Sequence, residues 1–152
     1  MQLLVLHGPN LNLFGRREPH IYGTTTLAEI DARLRELANE LDLGLEIFQS
    51  NHEGALIDKL HERIDSAAGA LVNPAGLTQH GVPLHDAIKA MPFPVLEVHM
   101  SNIAAREPWR AHSIISPAVH GTVQGLGWRS YTAALRALAE LASEALSSGA
   151  RS

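Results

Sequence analysis

Leu3-Leu4-Val5-Leu6-His7-Gly8-Pro9-Asn10-Leu11-Asn12-Leu13-Phe14-Gly15-Arg16-Arg17-Glu18-Pro19-His20-Ile21-Tyr22-Gly23 opens with a short apolar run of strand length, too short for a globular helix. At Gly8-Pro9 the run breaks into a long polar connection that carries Asn10, Arg16, Arg17 and Tyr22. A connection of this length inside a compact domain is usually a binding loop or lid. Adjacent arginines and a tyrosine within it point to an anionic ligand.

Outward from that stretch, apolar runs and amphipathic segments alternate. Thr26-Leu27-Ala28-Glu29 reads as a capping box, and Leu27, Ile30, Leu34, Leu37 and Leu41 then share one helical face. Gly44 is expected to stop that helix, with Leu45 to Gln49 a short strand. Ser50-Asn51-His52-Glu53 repeats the capping-box pattern ahead of a helix striped by Leu56, Ile57, Leu60 and Ile64. Ala70-Leu71-Val72 is a buried strand ending at Asn73-Pro74-Ala75-Gly76, where proline and glycine force a loop. A further helix starts near Pro83, Val95 to His99 is a fourth strand, and Val119 to Gln124 a weakly signalled fifth. Leu135, Leu138, Leu141 and Ala142 define the last helix, and 147–152 reads as a flexible tail after a single domain over 1–146.

Such alternation calls for a five-stranded parallel sheet with helices on both faces. In sheets of this kind a ligand sits beyond the carboxyl ends of the strands. Asn10, Asn73, His99 and Ser101-Asn102 all fall there.

At 152 residues the chain is long enough to bury a core without staples. The absence of cysteine excludes disulfides and thiolate metal sites. A formal net charge of -4 argues against nucleic acid as the main partner. No apolar run approaches the roughly 20 residues that span a bilayer, and with the first strand starting almost at Met1 no cleavable signal is expected. A cytoplasmic domain is expected.

Several chemistries fail on spacing. Gly8-Pro9-Asn10-Leu11-Asn12-Leu13 is not the Gly-x-Gly-x-x-Gly of a dinucleotide site, and no Walker loop is present. The glycines of Gly121 to Gly127 have the wrong spacing for either. Nine histidines invite a metal, yet none forms a His-Glu-x-x-His pair. Lys59 and Lys89 are the only lysines and both lie in amphipathic helices, so Schiff-base chemistry is disfavoured.

Proton transfer remains. A tyrosine base needs its pKa of about 10 brought down, which nearby guanidinium groups do by stabilising the phenolate. Arg16 and Arg17 lie close to Tyr22 in sequence. Spacing alone equally fits Tyr22 as a packed lid aromatic beside a solvated basic patch. In a strand, Glu97 and His99 share a face, so the carboxylate could orient the imidazole and keep it protonated; an ordinary strand-end histidine fits the same pattern. Asn73 could donate to a substrate oxygen or cap its turn.

Gly8-Pro9-Asn10-Leu11-Asn12, Gly15-Arg16-Arg17-Glu18-Pro19, Tyr22-Gly23, Gln49-Ser50-Asn51, Asn73-Pro74, Glu97-Val98-His99, Ser101-Asn102 and Ala105-Arg106-Glu107 resemble, in order, the motifs of type II 3-dehydroquinate dehydratases. The resemblance runs from about Leu3 to Leu141. It implies a flavodoxin-like three-layer α/β sandwich that removes water from 3-dehydroquinate, a small anionic cyclic hydroxy acid, by anti elimination through an enolate. It implies no metal and no cofactor. Carried over by position, Tyr22 would be the base, with Arg17 lowering its pKa. Asn10 would stabilise the enolate through a water, and His99, oriented by Glu97, would protonate the departing hydroxyl. Asn73 with the Met100 and Ser101 backbone would hold the carboxylate, Arg110 a ring hydroxyl, and Arg106 the lid and tyrosine. Asp86 would reach a neighbouring subunit's site in a dodecamer built from trimers.

The resemblance breaks at three places. Where the family usually has Thr-His-Thr-Ser, this chain reads Thr78-Gln79-His80-Gly81, so either Gln79 or a shifted His80 would meet the ring hydroxyl. His85 precedes Asp86 where the family often has arginine, and Ala104 replaces a common histidine. These departures leave open a related lyase acting on another anionic polyhydroxylated ring. A non-catalytic binding protein of the same fold is a third reading.

Overall fold

The computed structural model describes residues 1–149. Five strands form one all-parallel sheet: β1 (Gln2–His7), β2 (Gly44–Gln49), β3 (Gly69–Asn73), β4 (Val95–His99) and β5 (Gly121–Gln124). Their spatial order is β2-β1-β3-β4-β5. The helices are the single turn α1 (Pro19–Tyr22), then α2 (Leu27–Glu40), α3 (Glu53–Glu62), α4 (Val82–Lys89) and α5 (Arg129–Ser147).

The period-2 pleat sorts the strand side chains into two cores. Leu3 and Val5 of β1, Leu71 of β3 and Leu96 and Val98 of β4 pack with Ile30 and Leu34 of α2 and Leu135 and Leu138 of α5. Leu4, Leu6, Ala70, Val72 and Val95 face the other way, onto Leu56 and Leu60 of α3 and Leu84 and Ile88 of α4. Central β1 and β3 are buried on both faces, which is why they read as unbroken apolar runs. The same alternation sends His7 and Asn73 toward α5, and Glu97 and His99 toward the opposite layer.

Thr26 caps α2 as its sequence predicts, its Oγ1 accepting from the Glu29 N–H at 3.2 Å. Four boundaries differ from expectation. Gly44 does not stop α2: the helix ends at Glu40, Asp42 takes the left-handed turn at φ 55°, and Gly44 opens β2. Ser50 does not cap α3. Its Oγ accepts from the His52 N–H at 3.0 Å, while the Glu53 carboxylate turns away to the Leu84 N–H of α4 at 3.2 Å. A tertiary partner thus takes the carboxylate that the local motif would have used. β5 begins at Gly121, two residues later than its apolar signal. The long connection after β1 holds two single helical turns, Leu11–Leu13 and α1, pinned by buried Leu11 and Phe14. Ser147 is the last residue of α5, and of the tail expected at 147–152, residues 150–152 lie outside the described residues.

One glycine decides how the site is assembled. The Gly8 N–H donates to the Asn73 carbonyl at 2.8 Å, drawing the turn after β1 against the turn after β3. A Cβ on Gly8 would stand 2.7 Å from the Pro74 carbonyl oxygen and 2.9 Å from that of Asn73. Neither backbone can yield without shifting its strand. Gly8→Ala is therefore expected to lower stability by about 2 kcal/mol, read as a lower urea midpoint at unchanged slope.

Candidate active site

Parallel strands bring their carboxyl ends to one edge, and a cavity of about 160 Å3 lies there. Asn10, Arg17 and Tyr22 reach it from the connection after β1, and Asn73 and Gln79 from the end of β3 and the turn that follows. His99, Met100 and Ser101 come from the end of β4, and Arg106 and Arg110 from the loop beyond. Ten of the residues singled out in the sequence thus line one cavity. Glu97 lies behind it, fully buried. Arg16 is exposed and does not line it. Neither do His80 and Asp86, both exposed; Asp86 pairs with His85 Nδ1 at 2.9 Å. Of the two candidates for the family's histidine position, Gln79 is on the cavity wall and His80 is not.

Asn10 holds a left-handed backbone, φ 70°, a conformation that asparagine tolerates better than most residues. Its N–H donates to Asn51 Oδ1 at 2.9 Å, and Gln49 Nε2 donates to the same oxygen at 3.2 Å. The motif after β2 is thereby tied to the loop after β1.

Tyr22 closes α1, its ring 5.6 Å from that of Phe14. Arg106 Nη1 donates to the phenol oxygen at 2.7 Å. Arg17 meets the ring instead, its guanidinium carbon 5.4 Å from the centroid. Sequence spacing puts Arg16 and Arg17 nearest the tyrosine, and only the family resemblance adds Arg106. The hydrogen bond comes from a residue 84 positions away.

His99 Nε2 donates to Glu97 Oε2 at 2.5 Å, leaving Nδ1 free of that pair. Ser113 and Ser116 hydroxyls donate to the two Glu97 oxygens at 2.9 and 2.6 Å. Burial pushes the Glu97 carboxyl up, but the His99 hydrogen bond, the His99 charge and the two serine hydroxyls outweigh it, so the group sits below the usual carboxylate range. Glu97 is an acceptor held ionised inside the protein.

Asn73 is fixed on two sides. Its Oδ1 accepts from the Ala75 N–H at 3.1 Å and its Nδ2 donates to Tyr131 Oη at 2.8 Å. Gln79 Nε2 donates to the Arg110 carbonyl at 3.0 Å, while its Oε1 is buried with no hydrogen-bond partner among the described residues. The Arg106 Nε is likewise buried with no hydrogen-bond partner among the described residues. Arg110 Nε lies 2.9 Å from Glu107 Oε2, though out of hydrogen-bonding alignment. Unmet donors and an unmet acceptor around one small cavity describe a site shaped for a polar, anionic guest.

Ser113, Ser116, Tyr131 and His7 escape a reading of the sequence. Tyr131 stands one turn before Leu135 on the apolar stripe of α5, and His7 continues the Leu3-Val5 face of β1, so both positions announce burial though not partners. Ser113 and Ser116 carry no such signal.

A parallel sheet in the order β2-β1-β3-β4-β5, with a polar cavity beyond its carboxyl ends, defines a flavodoxin-like α/β domain. The family described as Dehydroquinase class II matches residues 1–139. A 3-dehydroquinate dehydratase of Desulforudis audaxviator is 53% identical over 143 residues, 94% of this chain and 95% of that protein. The crystal structure of type II dehydroquinase from Propionibacterium acnes superposes with a TM-score of 0.88 at 45% identity, over 91% of this chain and 96% of the other. That of Butyrivibrio crossotus gives 0.89 at 35% identity, over 91% and 97%. The chain belongs to the class II dehydroquinase family.

Proposed function

We propose that this class II dehydroquinase, a hydro-lyase, converts 3-dehydroquinate to 3-dehydroshikimate by anti elimination through an enolate, with a tyrosinate base and a histidine acid. The observation that carries the reading is the pairing of Tyr22, hydrogen-bonded by Arg106, with His99, backed by Glu97, on one cavity. A base and an acid held by separate partners are what an elimination needs.

In this mechanism the Tyr22 phenolate takes a proton from C2, and the electrons move into the adjacent carbonyl to form the enolate. Arg106 supplies positive charge at the phenolate oxygen, and Arg17 supplies it at the ring face. Asn10 stabilises the enolate oxygen through a water. Collapse of the enolate expels the C1 hydroxyl, which leaves as water with a proton from His99. Proton return from Tyr22 to His99 through solvent resets both groups. Glu97 keeps the imidazole oriented, with its carboxylate accepting from Nε2. Asn73 and the Met100 and Ser101 backbone hold the substrate carboxylate, while Arg110 and Gln79 Oε1 meet ring hydroxyls. His80 and Asp86 stand outside the cavity of one chain, and in this proposal they act at a neighbouring subunit within a dodecamer of trimers. The same reaction serves aromatic biosynthesis and quinate breakdown.

Gln79 motivates a second reading, a lyase for a related ring acid. An amide accepts and donates but carries no charge, which changes what the ring hydroxyl meets. Incubation with 3-dehydroquinate is expected to raise the ultraviolet absorbance of a conjugated enone. Turnover of a different hydroxylated ring acid in its place would favour the second reading, and binding without turnover would overturn catalysis altogether.

A further inference from the structure

Three polar side chains outside the mechanism above converge on Asn73. His7 and Tyr131 are both fully buried, and Asp31 on α2 is partly so. Tyr131 Oη stands 3.2 Å from His7 Nδ1, and His7 Nε2 stands 2.9 Å from Asp31 Oδ1. With the Asn73 contact they make a continuous run of hydrogen bonds from the surface of α2 to the cavity.

The protons in that run can be assigned. The Ala75 N–H is donor only, so Asn73 must turn Oδ1 toward it and Nδ2 toward Tyr131. Tyr131 Oη therefore accepts from Asn73, and its own hydrogen must go elsewhere. Burial pushes the Tyr131 phenol up, the Asn73 bond partly offsets this and the Asp31 charge adds to it, so the hydroxyl stays protonated. The acceptor available to that hydrogen is His7 Nδ1. His7 then carries its hydrogen on Nε2, and the Asp31 carboxylate receives it. Each donor meets one acceptor in one direction.

We infer that Tyr131, His7 and Asp31 are positioning residues that lock the Asn73 amide with one Nδ2 hydrogen presented to the bound substrate. The inference rests on the proposed role of Asn73. A buried tyrosine and histidine occupy positions where leucine or phenylalanine would pack without polar groups to satisfy. Their polar atoms reach the cavity through Asn73.

A double-mutant cycle on the full chain tests it, read in kcat/KM with 3-dehydroquinate. Tyr131→Phe keeps the ring and removes the hydroxyl, and it is expected to lower kcat/KM about tenfold, mostly through KM. On an Asn73→Ala background the same change is expected to have less than about a twofold effect. Equal losses on both backgrounds, or none in an otherwise native chain while Asn73→Ala is impaired, would overturn the positioning role and leave the proposed function standing. A fully active Asn73→Ala would remove the substrate role of Asn73 and the inference with it. Should Tyr131→Phe fold poorly, Asp31→Ala on the half-exposed end of the run is expected to lower kcat/KM about threefold, with Asp31→Asn, which still offers an oxygen to His7, retaining it. Unchanged kinetics in Asp31→Ala would sink the proposal equally.

Discussion

Tyr22→Phe is expected to lower kcat by about a thousandfold while KM moves little. The phenylalanine ring keeps the packing against Phe14 and the Arg17 contact with the ring face, so the lid turn retains its apolar anchor. What disappears is the oxygen that Arg106 Nη1 holds at 2.7 Å. Substrate still enters, because Asn73, Arg110 and Gln79 are untouched. A variant that loses only affinity would mean that Tyr22 binds rather than takes a proton. Steady-state rates followed at the enone band, with circular dichroism to certify the fold, decide between the two. Arg106→Lys offers a useful companion, since lysine brings charge without the planar fork that addresses both the phenol and its surroundings.

Glu97→Ala is expected to be damaging twice over. It leaves His99 Nε2 and two serine hydroxyls facing a void in which the side chain was fully buried. Removing one partner of a buried pair destabilises by about 3 kcal/mol, measurable by urea unfolding. The loss of imidazole orientation is expected to lower kcat by about a hundredfold. The pH dependence has a definite sign. Glu97 has its native carboxyl below the usual range, so the unfolded chain binds more protons than the native one across that interval. Its contribution to stability is complete above the unfolded value of about 4.3 and is lost as the pH falls through the lowered native value. Glu97→Gln should accordingly show a shallower acid loss of stability than the native chain, and an identical acid limb would refute the ionised pair.

How far the sequence reveals this molecule depends on the distance between partners. β1 and β3 are legible because burial on both faces leaves an unbroken apolar run in each, Leu3 to Leu6 and Ala70 to Val72. The Thr26 cap is legible because its partner is three residues away. Ser50 and Glu53 present the same local pattern and do something else, since Leu84 offers Glu53 a backbone donor that no local rule anticipates. At the cavity, strand periodicity puts Glu97 and His99 on one face, though an ordinary strand-end histidine fits that pattern too. Spacing alone cannot pair Tyr22 with Arg106, since Arg16 and Arg17 lie nearer along the chain; only the family resemblance points to Arg106. His7 meets Tyr131 across 124 residues, and only the assembled sheet and α5 bring them together.

Tyr22 and Tyr131 are the only tyrosines in the chain, and they occupy opposite circumstances. Tyr131 is sealed in the core with its hydroxyl held neutral, whereas Tyr22 lies half-open on the cavity wall. A phenol-directed reagent arriving from solvent therefore meets a single side chain. The protein carries its own chemical handle on the residue proposed as the base, addressable without substitution.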